Sequence, residues 1–382
     1  MRQQTDVSRP TRGYLPTLDG WRTLSIAAVI LCHDSLHHLG PFNTMWLYMH
    51  GNLGVDIFFA ISGLLICSRL LDEERKSGAI SIQNFYLRRA FRILPPAMAF
   101  LATLAILARL ISLPVGIPEI LASLFFVRNY TFFFQHFQTL NPFYTSHFWS
   151  LAVEEHFYLL LPALLVFAPK RWRVSLLLLL AAAVGVHRFL LGTAASVMHT
   201  DTRLDALVVP AAIAILLQKE SLRTRLTPWL RFWPLLAIAV VGLVILGWAP
   251  RLQPLALAWS CPFFVLGTML RPNSLFGRFL ELRFMRYFGR LSYSIYLWQQ
   301  LFFVGHFGAA MPGWGIFQRW PLCLLMTIGF AVLSYYFVER PLIRVGGRIA
   351  ASWSRPSSTL QSPRPELNLA SAQDDKSSAL SL

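Results

Sequence analysis

Runs of about twenty apolar residues recur along this chain. At 1.5 Å of rise per residue, a run of that length crosses a bilayer as a helix. Ten such spans are read: 18–39, 53–71, 93–112, 148–168, 174–192, 204–218, 232–249, 254–270, 288–307 and 319–338. The sixth is the shortest. A further apolar stretch, 117–137, carries Arg128 and Asn129 and reads as interfacial or re-entrant. Of the 382 residues, 55% are hydrophobic and only 14% charged, with a mean hydropathy of +0.51. About a quarter of a soluble domain is charged, so this chain cannot clothe itself in polar surface and needs the lipid bilayer as solvent. The expected fold class is all-α, a polytopic transmembrane helix bundle.

Charge placement supplies an orientation. On this span map, 28 of the 34 Lys and Arg fall on one side and six on the other. The six are Arg109, Arg128, Arg188, Arg203, Arg251 and Arg319. Cytoplasmic loops collect Lys and Arg, so both termini are expected in the cytoplasm, with the protein multi-pass in the inner (plasma) membrane. The same rule accounts for the net charge of +16 without nucleic acid as a partner. Residues 1–350 read as one membrane-embedded domain. Residues 351–382, rich in Ser, Pro and Asp, read as a disordered cytoplasmic tail. No cleavable signal peptide and no appended soluble domain are read. The four cysteines lie singly in apolar runs, which suits neither a disulfide framework nor a metal site.

Ionisable residues inside the spans narrow the function, because a charge at the bilayer centre costs about 2.5–3.5 kcal/mol on insertion scales. Arg22 and His33 stand eleven residues apart in LDGWRTLSIAAVILCHD. Eleven residues turn a helix through roughly three turns plus 20°, so the two share a face about 16 Å apart. Singly, Arg22 also reads as a snorkelling side chain and His33 as a satisfied structural histidine. Asp34 is rotated about 100° from that face.

Arg88, Arg89 and Arg92 cluster in NFYLRRAFRILPP at the cytoplasmic end of the third span. Arg88 and Arg92 share a helix face. The cluster reads either as ordinary positive-inside charge or as a phosphate clamp, since guanidinium binds phosphate bidentately. Glu154 and Glu155 lie two turns inside HFWSLAVEEHFYLLLP. Adjacent carboxylates point about 100° apart, so at least one faces the protein interior. A pairing of His33 with one of them fits their common depth. Asp56, in Gly-rich GNLGVDIFFAISGLL, reads as packing polarity or as part of the site, and Arg203 with Asp205 as a local ion pair. His136, His147, His156 and His187 read as interfacial. The hydroxyls of GRLSYSIYLWQQ read as interhelical hydrogen-bond donors.

Taken in order, LDGWR with His33, GVDIFFAISG, FYLRRAFRILPP, FWSLAVEEHFYLLLP, LGT at 266–268, FGRLSYSIYLW and FVERPLIR resemble the acyltransferase 3 family, from about Leu15 to Arg344. The resemblance implies a membrane O-acyltransferase. Its donor would be cytoplasmic acyl-CoA, usually acetyl-CoA. Its acceptor would be a hydroxyl on a sugar, glycan or lipid-linked saccharide, such as a surface polysaccharide or lipopolysaccharide. It makes His33 the catalytic histidine, Arg22 its partner, Arg89 and Arg92 the paired arginines and Glu154 with Glu155 the acidic pair. Two positions depart from the family pattern: His156 stands where glutamine is frequent, and Gln299 where histidine is frequent.

The expected mechanism places CoA phosphates at the cytoplasmic arginines, with Arg22, Arg88, Arg89, Arg92, Asp56, Arg203 and Asp205 as substrate-binding candidates. His33, oriented by Glu154 or Glu155, acts as general base or acyl carrier. No metal and no bound cofactor are expected. The competing reading is a transporter or flippase using the same charges as a relay, although the broken-helix pairs and repeats of such proteins are not evident.

Overall fold

A computed structural model describes residues 15–37, 52–131, 143–192, 198–230, 242, 253–303, 311 and 313–353. Among them every regular element is helical, with no strand. The read span 232–249 apart from residue 242, His136, Arg251 and the tail beyond residue 353 lie outside the described residues.

In chain order the helices are α1 Pro16–His37, α2 Asn52–Ser77, α3 Ile82–Leu110, α4 Ile117–Leu124, α5 Arg128–Thr131, α6 Phe143–Ser146, α7 Phe148–Phe167 and α8 Arg173–Leu191. Then come α9 Thr200–Arg203, α10 Asp205–Leu216, α11 Glu220–Leu226, α12 Gln253–Leu270, α13 Leu275–Leu280 and α14 Arg283–Phe302. Last, α15 Leu322–Ser334 runs through a π-turn at Tyr335–Glu339 into α16 Arg340–Trp353. Local chemistry sets several of these ends. The Ser81 hydroxyl accepts from the Asn84 amide at 3.4 Å to start α3. Gly192, at φ +75°, ends α8 in a conformation that favours glycine.

Five of the described helical runs are long and apolar enough to cross a membrane: Leu53–Ser77, Ile82–Leu110, Phe143–Phe167, Arg173–Leu191 and Leu322–Trp353. They coincide with the second, third, fourth, fifth and tenth read spans. Helices α1 and α14 match the first and ninth, at 22 and 20 residues, but carry too many polar groups to stand among the five. The sixth read span is the 12-residue α10 and the eighth is α12. The segment 117–137 gives two short helices, α4 and α5, as far as it is described. Large apolar side chains such as Leu179, Leu190, Leu325, Leu333 and Phe337 face outward, which water disfavours and lipid accepts.

The core is a bundle in which α14 packs along α1 and α15, while α10 packs on α2 and α8. Close approach of α1 to α14 depends on Gly289, because a Cβ there would run into the Asp19 backbone. Trp21 Nε1 donates to Thr268 Oγ1 at 2.8 Å and ties α1 to α12. Three of the six minority-side arginines, Arg128, Arg188 and Arg203, are buried.

Candidate active site

The LDGWR segment forms the first two turns of α1 and carries Asp19 and Arg22 on adjacent turns. Arg22 Nη1 donates to Asp19 Oδ1 at 2.9 Å, with side-chain exposures of 18% and 4%. Arg22 stands between two cavities. The inner one, about 780 Å³ of empty volume, lies among α1, α2, α3, α7 and α14 and is lined by Arg22, Arg89, Arg92, Ser62, Glu154, Tyr158, Ser150 and Tyr296 together with apolar side chains. The outer one, about 740 Å³, is lined by Asp19, Arg22, Arg69, Arg92, Arg290 and Glu339. Both share Arg22, Arg92 and Leu65. The outer cavity thus sets four arginines against two acids, and an excess of fixed positive charge in a low-dielectric wall attracts anions.

The acidic pair divides. Glu154 lines the inner cavity, where the hydroxyls of Ser62 on α2 and Tyr158 one turn on both donate to its Oε1. Tyr158 is also the platform for Arg89, whose Nη1 donates to the Tyr158 hydroxyl at 3.4 Å and whose guanidinium sits 4.6 Å from the ring centroid. Glu155 is half-buried and makes no hydrogen bond or ion pair among the described residues.

The arginine cluster divides too. Arg89 and Arg92 line the inner cavity, whereas Arg88 is 46% exposed, lines neither cavity and reaches Glu73 at 3.4 Å. Arg88 and Arg92, read as sharing a helix face, do not line a cavity together. Their common helix face is broad, and Arg88 turns to its outer edge where an acid is available.

His33 is not oriented by a glutamate. Its Nδ1–H donates to Gln299 Oε1 on α14 at 2.7 Å, and both donors to Glu154 come from α2 and α7. With the proton on Nδ1, the lone pair of the neutral imidazole belongs to Nε2. Gln299 is buried and its Nε2 donates to Gln300 Oε1 at 3.4 Å. His33 lines neither cavity. The connection runs along α14, where Tyr296 in the inner cavity wall is one turn from Gln299.

Arg203 and Asp205 do not pair with each other. Arg203 Nη2 donates to Asp56 Oδ1 at 2.6 Å, with both side chains at most 2% exposed. Asp205 takes both guanidinium nitrogens of Arg188 at 3.1 and 2.8 Å. The four residues bind α2, α8, α9 and α10 together, and none lines either cavity. Residues two apart on a helix diverge by about 200°, which is why the local pair fails and each meets a neighbouring helix.

Sequence reading did not single out Ser62, Tyr158, Arg69 or Glu339, and it missed the role of Gln299. Glu339 stands out only in the structure. It sits on a π-turn, a distortion frequent at functional sites, and accepts from Ser294 Oγ at 2.8 Å. The hydroxyls of α14 do bond across helices, Tyr293 to the Ile93 carbonyl at 2.9 Å among them.

No solved structure matches the chain. It is 29% identical over 365 residues to the O-acetyltransferase OatA of Staphylococcus aureus strain NCTC 8325 / PS 47, and equally to OatA of strain COL. Those matches cover 87% of this chain and 58% of each relative, so the chain spans little more than half the length of these curated relatives. The family model described as an acyltransferase domain matches residues 15–339. That range takes in the arginine-lined cavities, Glu154 with its two hydroxyl donors, and the His33–Gln299 bond, and on it the chain belongs to the acyltransferase 3 family.

Proposed function

We propose that this protein is a membrane O-acyltransferase that moves an acyl group, acetyl by analogy with the names of its relatives, from acyl-CoA to a hydroxyl of a sugar or glycan. The observation that carries the reading is the pair of cavities meeting at Arg22 and Arg92, cationic on one side and lined by hydroxyls and a carboxylate on the other. CoA has matching parts: a phosphate-rich nucleotide, a thin arm and a thioester. Its phosphates suit Arg22, Arg69, Arg92 and Arg290, because guanidinium–phosphate bonds are charge-assisted and bidentate. Its arm suits the inner cavity, where Arg89 and Arg92 flank apolar walls.

In this reading His33 is the general base. Its Nε2 takes the acceptor hydroxyl proton, the oxygen bonds to the thioester carbon, and CoA leaves as the thiolate that recovers the proton. Gln299 holds the imidazole in the tautomer this requires. Glu154, fixed by two hydroxyl donors, shapes the electrostatics of the inner cavity, and Glu155 stays a candidate beside it.

The whole-chain topology belongs to the same proposal: about ten spans, both termini cytoplasmic, residues 1–350 embedded in the plasma membrane and 351–382 a tail. Asp56, Arg203, Arg188 and Asp205 hold the helices together rather than touch substrate. The decisive experiment is release of free CoA from acetyl-CoA by detergent-solubilised protein. Turnover lost in His33→Ala supports the reading. Transport of a glycan with no thioester turnover would replace it with the transporter or flippase alternative.

A further inference from the structure

His147 stands at the corner between α6 and α7 and is 3% exposed. Its ring meets Phe100, Phe148 and Tyr296 edge-on, at centroid separations of 5.3, 4.9 and 5.5 Å. Neither Nδ1 nor Nε2 has a hydrogen-bond partner among the described residues. A neutral imidazole carries one N–H donor and one lone pair, and burying both without partners is unfavourable and rare. Phenylalanine would fill this aromatic niche without that cost. The ring lies inside the bundle rather than on its surface.

The residue is held from the cavity side, and the turn before it from α14. On the cavity side, the Tyr296 hydroxyl donates to the His147 carbonyl at 2.9 Å and the Ser150 hydroxyl to the same carbonyl at 3.3 Å. Both residues line the inner cavity. On the His33 side, Gln300 Nε2 donates to the Phe143 carbonyl at 2.8 Å and to Ser146 Oγ at 3.2 Å. Gln300 is in turn bonded to Gln299, the residue that holds His33. An unsatisfied imidazole therefore stands behind the cavity wall that Tyr296 and Ser150 form, with its carbonyl held by both.

We infer that His147 is a second imidazole of the acyl-transfer centre, a substrate-positioning residue whose ring hydrogen-bonds the acceptor hydroxyl while His33 takes its proton. The inference rests on the acyl-transfer reading above. The hydroxyl proton passes to His33 Nε2, the C–S bond breaks as the C–O bond forms, and CoA leaves with the proton. His147 ends with the protons it began with. Its hydrogen bond directs the oxygen lone pair at the thioester carbon and is satisfied only when an acceptor is present.

The test uses the full chain in detergent, with acetyl-CoA as donor and water, then added N-acetylglucosamine, as the hydroxyl source. His147→Phe should melt no lower than the wild type, keep KM for acetyl-CoA, and lose at least about tenfold in kcat for CoA release. His147→Gln, which restores a donor and an acceptor, should recover part of that loss. A wild-type kcat in His147→Phe overturns the inference. So does a rate lost together with thermal stability in both variants, which would make the ring a packing element. A wild type that releases no CoA overturns the acyl-transfer reading, and this inference with it.

Discussion

His33 Nδ1–H donates to Oε1 of Gln299 at 2.7 Å, joining α1 to α14 through one side-chain bond. The two residues are 266 positions apart, and because an amide oxygen accepts, Nδ1 as donor leaves the lone pair of the neutral ring on Nε2. If Nε2 is the base, Gln299→Leu frees the ring to rotate and tautomerise without removing it. The expected loss is about tenfold or more in kcat with KM for acetyl-CoA unchanged, against the loss of about 10²–10⁴ that removing a general base brings in His33→Ala. Steady-state CoA release measures both. Equal rates in Gln299→Leu and the wild type would disconnect Gln299 from the chemistry.

Arg89 and Arg92 face the inner cavity while Arg88 faces Glu73. Replacing Arg89 and Arg92 together with Gln is expected to raise KM for acetyl-CoA by tenfold or more. Each charge-assisted hydrogen bond contributes about 1.5–3 kcal/mol. Arg88→Gln should leave KM within about twofold, since exposed ion pairs contribute about 0–1 kcal/mol. A titration of acetyl-CoA against the two variants decides between them.

Tyr158 donates to Glu154 and carries Arg89 over its ring. Tyr158→Phe keeps the ring and removes one of the two donors, so it should destabilise by about 1–3 kcal/mol and lower the rate. Tyr158→Ala should also raise KM for the donor, because Arg89 loses its platform. Thermal melts in detergent, read beside the kinetics, separate the two effects.

The Arg203–Asp56 pair is buried on both sides. Removing one partner strands a charge, and Arg203→Ala should cost about 3–5 kcal/mol of stability. The double change Arg203→Met with Asp56→Leu should recover most of it, because apolar pairs of similar volume commonly match buried ion pairs. Recovered activity in the double variant marks the pair as a helix lock. Recovered folding without activity would return Asp56 and Arg203 to the substrate site.

Gly289 lets α14 lie against the Asp19 backbone. Gly289→Ala should push the helices apart and misplace Arg22, which follows Asp19 by one turn. The expected result is a higher KM for acetyl-CoA and a lower melting temperature. An unaltered melt would place the α1–α14 contact outside the stability of the bundle.

Much of this was legible in the sequence because the bilayer simplifies the problem. Apolar length alone placed the helices α2, α3, α7 and α8, and helical periodicity alone put Arg22 and His33 on one face of α1. The cost of burying Glu154 marked it before any fold was known, and it does line a cavity. Where a reading depended on a partner, the outcome was mixed. Glu154 or Glu155 was expected beside His33, and Glu154 is held by Ser62 and Tyr158. Arg203 was expected beside Asp205 and is held by Asp56. Gln299 looked like a departure from the family pattern and is bonded to His33.

The sequence by itself determined that the chain is helical and suited to a membrane, and that it carries ionisable groups too costly to be idle. Those are properties of length, hydropathy and rotation along one helix, and each is local. Only the tertiary structure decided which group meets which. Hydrogen bonds and ion pairs are set at about 3 Å between helices far apart in the chain, and a difference of one residue in facing, about 100°, exchanges one partner for another. That sensitivity is why His33 was visible in the sequence and the side chain that holds it was not.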